Sequence, residues 1–393
     1  MLAVRLVTFG YMVTWHILLP ILPVYTDTLG ATPVQVGLLV SLMTGISFFF
    51  CLHLGTLADA VGPRKMAQGA SIAYTIALLI LFLGRTLWLV AVALALIGLS
   101  NIALVIATET RVAAAATMGK RAEAFSTLAL WASAGSLIGP VIGGAIARWW
   151  GFPAAFAAAL AVTIVIVGAA SWAIPRGHPT STERPSAMAP YKLAATLAHN
   201  RVVLFVLIIS FVHMSAFSLR QSFYPLYMEH VGLTTAGIGA IMSIMGLATM
   251  LSRPVLPFAL RWVGAVRVLT VILGLTITGI AMTPLLSGFW PLAGTISLPG
   301  FAMGLLGPLT TALITDQAPP AAWGSAVSLR VMSLQGAQLV SPSVTGFIVA
   351  GFGLPAAFYF SALVAGSGLL AVVGLARTGA PLLAAPARTT KRS

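Results

Sequence analysis

Acidic side chains are almost missing from this chain: seven Asp and Glu stand against 21 Lys and Arg in 393 residues, and charged residues make up only 7%. A soluble chain of this size must meet water over its whole surface and carries roughly 25% charged residues, so a soluble globular domain does not fit. Cys51 is the only cysteine, which excludes an internal disulfide and cysteine-based zinc sites. Neither a G-x-x-x-x-G-K-S/T phosphate loop nor an H-E-x-x-H pair occurs. No side-chain set supports hydrolysis or redox chemistry, and the chain reads as a non-enzyme without cofactor or metal site. Polar stretches are equally scarce, and the longest is PRGHPTSTERPSAMAPYKLAATLAHNR, Pro175 to Arg201.

What is present is apolar. Hydrophobic residues make up 59% of the chain, with mean hydropathy +1.02. The first apolar stretch, VRLVTFGYMVTWHILLPILPVY, is too long for a signal-peptide core and lacks a small-residue cleavage site, so it reads as the first membrane span. Division at charged, Gly and Pro punctuation yields twelve spans, beginning near residues 4, 35, 67, 87, 124, 153, 202, 236, 267, 290, 324 and 354. At about 1.5 Å per residue each crosses a hydrocarbon layer of roughly 30 Å. The expected fold class is an all-α membrane protein of twelve transmembrane helices.

The net charge of +14 does not mark a nucleic-acid binder, because the bases sit at span ends and form no stripe interleaved with aromatics. With both termini inside, cytoplasmic segments collect Arg5, Arg64, Lys65, Lys120, Arg121, Arg176, Arg184, Lys192, Arg201, Arg261, Arg267, Arg377, Arg388, Lys391 and Arg392. The outer loops hold only Arg85 and Arg148. Cationic loops resist translocation, so this bias orients the chain with both termini in the cytoplasm. The expected location is a cell membrane, the bacterial inner membrane first.

A repeat sets the domain organisation. At an offset of 202 residues Pro23 matches Pro225, Tyr25 matches Tyr227, and LGATPVQVG from Leu29 lies over VGLTTAGIG from Val231. SLM from Ser41 falls on SIM from Ser243, Gly62 on Gly264, Gly98 on Gly300, Pro140 on Pro342, and GFPAAF from Gly151 on GLPAAF from Gly353. Six spans return the chain to its starting side, so the second copy enters with the same orientation. The expected domains are an N-terminal half over residues 1–175, a linker at 176–201, a C-terminal half at 202–377 and a tail at 378–393. Parallel halves of this kind bind a solute between them near the membrane midplane.

GTLADAVGPRK, Gly55 to Lys65, concentrates charge after the second span. A positive-inside loop accounts for Arg64 and Lys65 but not for Asp59, a carboxylate at the hydrocarbon edge that needs a partner. Topology offers two: the N-terminus of the eleventh span near Trp323, with free N–H groups and a positive dipole end, and Arg330 about two turns further on. Such a contact would latch the halves on the cytoplasmic side and favour the outward-open state. Hydrogen bonds to a charged group contribute about 1.5–3 kcal/mol, enough to shift a two-state equilibrium about ten-fold.

These residues resemble the loop signature of the major facilitator superfamily, usually G-x-L-x-D-R-x-G-R-R/K. Gly55, Leu57, Asp59, Gly62, Arg64 and Lys65 match; Ala60 replaces the usual Arg and Pro63 the residue before Arg64. In the second half Arg261 stands where Asp59 does and Pro257 where Gly55 does, so the latch should be one-sided. GSLIGPVIGG, with Gly135, Gly139, Pro140, Gly143 and Gly144, gives a smooth helix face for close packing. It is similar to the fifth-helix motif of the drug:proton antiporters, which implies export, with these residues at the interface between halves. PILP from Pro20 resembles a further motif of the twelve-helix members. The resemblance covers about residues 4 to 376. It also implies an Arg in the fourth span within R-x-x-Q-G, but Leu94 and Ile97 hold those places.

Ionisable residues in or near the spans are His16, His53, Glu109, Arg111, His213, Arg220, Arg253, Asp316 and Arg330; inside lipid such groups face a cavity or a partner. Arg220, in FSLRQSFYPLY with Gln221 and Tyr224, is the leading substrate contact, against snorkelling or a pair with Glu229. His16 suits either a proton carrier or a packing histidine. Asn101 shares the helix face of Leu94 and is expected to look into the cavity. Family resemblance implies that Glu109 pairs with Arg64 or Lys65, with a proton role as the alternative; Asp316 is divided in the same way.

The expected function is therefore secondary transport of a small organic compound by alternating access, with protons as the coupling ion and export as the direction. The protein is expected to act as a monomer in the lipid bilayer. The alternatives are an uptake symporter or uniporter of the same fold, and a receptor or scaffold without flux.

Overall fold

In hydrocarbon a backbone has no water to bond to, so a lone segment crosses as an α-helix, which satisfies each N–H and C=O internally. The computed structural model describes residues 1–115, 121–174, 200–316 and 323–377, and every regular element among them is helical. The linker and the tail at 378–393 lie outside the described residues, apart from Asn200 and Arg201.

The elements are α1 (Leu2–Thr28), α2 (Pro33–Val61), α3 (Pro63–Leu83), α4 (Leu87–Ala115), α5 (Arg121–Val162), a π-helical turn (Thr163–Gly168) and α6 (Ala169–Ala173). The second half holds α7 (Arg201–Ser222), α8 (Tyr224–His230), α9 (Thr235–Ser252), α10 (Val255–Met282), α11 (Phe289–Asp316), α12 (Trp323–Phe352) and α13 (Leu354–Arg377). Ten segments are long and apolar enough to span; one of them, Thr127–Ala173, contains two crossings that meet at Gly151, and α12 adds another. Among the described residues that makes twelve crossings, all but one starting within a few residues of the expected positions; α10 begins at Val255, ahead of the expected 267, and kinks at Gly264.

Local chemistry sets the ends. Before α2, the Thr32 N–H donates to Gln35 Oε1 at 2.8 Å and the Gln35 N–H donates to Thr32 Oγ1 at 3.3 Å, a reciprocal capping box. Asn200 caps α7 by accepting from the Val202 N–H, and Thr234 caps α9 by accepting from the Gly237 N–H. α3 begins with Pro63 behind Gly62, whose φ of 85° only glycine adopts without strain.

The 202-residue register recurs as contacts. Tyr25 donates its hydroxyl to the Gly84 carbonyl at 3.0 Å, and Tyr227 donates to the Leu286 carbonyl at 3.3 Å. Tyr25 meets Phe156 edge to face at 5.0 Å between centroids, as Tyr227 meets Phe358 at 4.9 Å. Ser47 donates to Gly98 and Thr249 to Gly300. Positive-φ glycines pair in the same way: Gly30 with Gly232, Gly62 with Gly264, Gly151 with Gly353. The first half packs around its own core, including Leu18, Tyr74 and Phe156, and the second around Phe223, Phe358 and Leu269.

The halves meet at the membrane surface opposite the Gly62 turn. The Pro140 carbonyl of α5 abuts Gly239 of α9, and 202 residues on, the Pro342 carbonyl of α12 abuts Gly37 of α2. Gly144 sits on the Thr235 carbonyl and Gly346 on the Pro33 carbonyl. Hydrogen bonds reinforce the seam, Ser343 Oγ to Ser41 Oγ at 2.8 Å and Thr44 Oγ1 to the Gln338 carbonyl at 3.0 Å, and at the far end of α9 Arg253 donates to Ser133 Oγ of α5 at 3.2 Å. One expectation needs correction. Pro140 and Gly144 do join the halves, but Gly135, Gly139 and Gly143 pack on Phe9, Val13, His16 and Ile17 of α1 within the same half. That face of α5 receives α1 because the two lie side by side in one bundle.

A valine at Gly239 or Gly37 would drive its side chain into a proline carbonyl. Each variant is expected to cost about 1–3 kcal/mol in the state with this seam closed, and to lengthen the distance between spin labels at Arg85→Cys and Ser287→Cys in a Cys51→Ser background. An unchanged distance counts against the seam.

The same surface carries two like charges. Asp27 at the end of α1 acts on Glu229 of α8, which lies beyond the α7 membrane segment; burial first and then Asp27 hold the Glu229 carboxyl above the ordinary carboxylate range. A raised carboxyl holds its proton more tightly in the folded state, so this site gains stability as pH falls from the raised value towards the ordinary one. Glu229→Gln should raise stability at pH 7 by about 1 kcal/mol or less, since the pair is partly exposed, and thermal melts at pH 7 and pH 5 should then differ less than in the wild type.

Candidate functional site

Two buried polar side chains, one from each half, come within electrostatic reach inside the bundle. α1 is the most enclosed span, and His16 lies on its buried length, 9% exposed. Its ring Nδ1 is 2.8 Å from the Met12 carbonyl, so Nδ1 donates and Nε2 is left as the acceptor. Gly139 of α5 gives the ring room: a Cβ there would come within 2.6 Å of the His16 Cβ.

Arg220 comes from α7 and is close enough to His16 for the two to act on each other electrostatically. It occupies the last turn of α7, which breaks at Phe223 ahead of Pro225. Proline supplies no N–H to continue the ladder, and the carbonyl-rich helix end favours a cation. The guanidinium lies over the Phe217 ring, 4.8 Å from its centroid. Its Nε has no hydrogen-bond partner, nor does Oε1 of the adjacent Gln221, which is 8% exposed. Unpaired polar atoms in apolar surroundings cost about 1–3 kcal/mol each, so this place favours a molecule that offers an acceptor to Arg220 and a donor to Gln221.

The other expected residues fall elsewhere. Tyr224 is not brought to the pair: it is buried in the C-terminal half, hydroxyl 3.4 Å from Thr283 Oγ1 and ring against Phe358. That is a correction with a simple cause, since α8 restarts after the break and turns this face towards α13. Asn101 is half-buried on α4. Gly55 and Asp59 lie on α2 and Asp316 ends α11, with side chains outside the described residues. Gly62 forms the turn, Arg64 is half-buried and Lys65 exposed. Glu109 faces Tyr11, an α1 residue with Thr8 and Thr108 beside its hydroxyl, and no ion pair of Glu109 with Arg64 or Lys65 occurs among the described residues. Arg330 donates to Thr310 Oγ1 at 3.3 Å. Tyr11 and Phe217 were not among the expected site residues; apolar neighbours hide both, and only the 202-residue offset from Tyr11 to His213 marks the first.

Two parallel six-helix halves with a polar pair between them define a polytopic membrane transporter. The Major Facilitator Superfamily sequence model matches residues 5–292 and again 257–392, and the chain belongs to that superfamily. Multidrug resistance protein MdtG of Proteus mirabilis is 24% identical, over 91% of this chain and 92% of its own. The multi-drug resistance efflux pump PmrA homolog of Lactococcus lactis is 26% identical, over 92% and 89%. Among solved structures, the nucleoside transporter NupG superposes with TM-score 0.80 at 15% identity, over 96% of this chain and 98% of that one. A POT family transporter in complex with 5-aminolevulinic acid reaches 0.81 at 13% identity, over 96% of each. These two likenesses establish the fold.

Arg220→Ala is expected to lower transport about ten-fold or more by removing a charged hydrogen-bond donor. Arg220→Lys should recover part of it, because the charge returns without the planar fork. Initial rates in proteoliposomes at matched protein content test this, and wild-type rates in both variants would remove Arg220 from the site.

Proposed function

We propose that the protein exports a small organic compound across the bacterial inner membrane in exchange for protons, its two halves alternating access to a site at His16, Arg220 and Gln221. The pair formed by His16 and Arg220 carries this reading: a residue from each half faces the other between the bundles, where opposite rocking would expose it to either side. The efflux relatives support export. A cation with an unpaired N–H and no acid beside it among the described residues favours neutral or anionic cargo. On this reading the termini and linker are cytoplasmic, residues 1–175 and 202–377 move as units, and the chain works as a monomer. Asp59, Arg64 and Lys65 then act with Glu109, Asp316 and Arg330 at the cytoplasmic gate, opposite the closed seam.

Inverted membrane vesicles test the proposal. With the lumen acid, vesicles containing the protein should accumulate neutral chloramphenicol or anionic fluorescein in preference to cationic ethidium, and nigericin should abolish the uptake. Uptake that ignores the pH gradient would overturn proton exchange, and absence of any flux across a wider panel of compounds would overturn transport.

A further inference from the structure

The repeat places a second ionisable group where the first half has a tyrosine. Tyr11 of α1 lies between Thr8, Thr108 and Glu109. Adding 202 residues gives His213 on α7, Ser210 on α7, and Thr310 and Thr311 on α11. The register holds at this spot: Thr108 Oγ1 donates to Leu104 and Val105, and Thr310 Oγ1 donates to the equivalent Leu306 and Gly307. Burial matches as well, with Tyr11 at 3% and His213 at 1%, Thr8 at 1% and Ser210 at 0%. The two sites differ in charge. The N-terminal one holds the carboxylate of Glu109, and the C-terminal one has Arg330 of α12 donating to Thr310.

Neither ring nitrogen of His213 has a hydrogen-bond partner, and neither does the Ser210 hydroxyl. Buried polar atoms in folded proteins are nearly always paired, so an imidazole left this way gains from any other state that supplies a partner. Among the described side chains a positive ring here has no hydrogen-bond partner to offset its desolvation. The charged groups of α7, α11 and α12 named for this site are Arg330, Arg220 two turns along α7, and Asp316 at the end of α11, whose side chain lies outside the described residues; Arg201 starts α7, and the other helices against α7 carry Arg5, His16 and Asp27 (α1), His53 and Asp59 (α2), Glu229 and His230 (α8), and Arg261 and Arg267 (α10). α13 carries none between Leu354 and Gly374.

We propose that His213 is a proton-binding residue of the C-terminal half, neutral while the Pro140–Gly239 seam is closed and protonated when that seam opens. The proton comes from water at one membrane surface, is held on a ring nitrogen, and returns to water at the other. The proposal rests on the proton-exchange reading and adds a residue to it.

The test uses the full-length protein in nanodiscs, spin-labelled at Arg85→Cys and Ser287→Cys in a Cys51→Ser background. Glu229→Gln is included because protonation of Glu229 would relieve its repulsion with Asp27 and favour closure. From pH 8 to pH 5 the ratio of open to closed distances should rise by about ten-fold. His213→Gln should remove most of that response, and so should His213→Tyr, which restores the residue of the other half; Tyr11→Phe should leave it. Distances that match at pH 8 show that the variants fold. A response that survives both His213 substitutions overturns this inference alone. No response in the parent protein also overturns this inference, while proton exchange stands or falls on the vesicle assay.

Discussion

Two proline carbonyls resting on two glycines hold the halves in this arrangement. Pro140 on Gly239 and Pro342 on Gly37 bring backbone against backbone, so the side chains around them need only be small or short and polar. Glycine at these positions is a requirement of distance. Once the seam is set, α1 and α7 lie near each other, and His16 comes within electrostatic reach of Arg220. The proposed site is thus a consequence of packing some way from it, at one surface of the membrane.

Much of the fold was legible in the chain because lipid imposes strong rules. Twelve apolar stretches had to be helices, and the punctuation between them gave starts within a few residues of those observed, except in α10, which begins at Val255 and runs through a kink at Gly264. The repeat was legible through identical residues such as Pro23 and Pro225, and the contacts of Tyr25 and Tyr227 repeat the same spacing. The site was less legible. His16 and Arg220 stood out as rare polar residues, but Tyr224 did not belong with them, because the helix break at Phe223 turns the next residues towards α13. The α5 glycines looked like a single surface, yet helical rotation divides it, three facing α1 and one facing α9.

The two halves share a backbone plan and differ in their buried polar groups. Tyr11 beside Glu109 and His213 beside Ser210 occupy matching places with different acid–base chemistry, as Asp59 of α2 and Arg261 of α10 do just before the Gly62 and Gly264 turns. Duplication supplies two equivalent frameworks, and divergence of a few side chains lets one half carry charge that the other does not. Sequence identity between the halves hides such sites, since it marks what stayed the same.

The paired seam also limits how the protein can move. Of the motions open to the halves, a rotation about the line joining the two carbonyl–glycine contacts disturbs those contacts least; sliding and twisting both separate a carbonyl from its glycine. A ligand or proton bound well away from that line has leverage over the whole bundle.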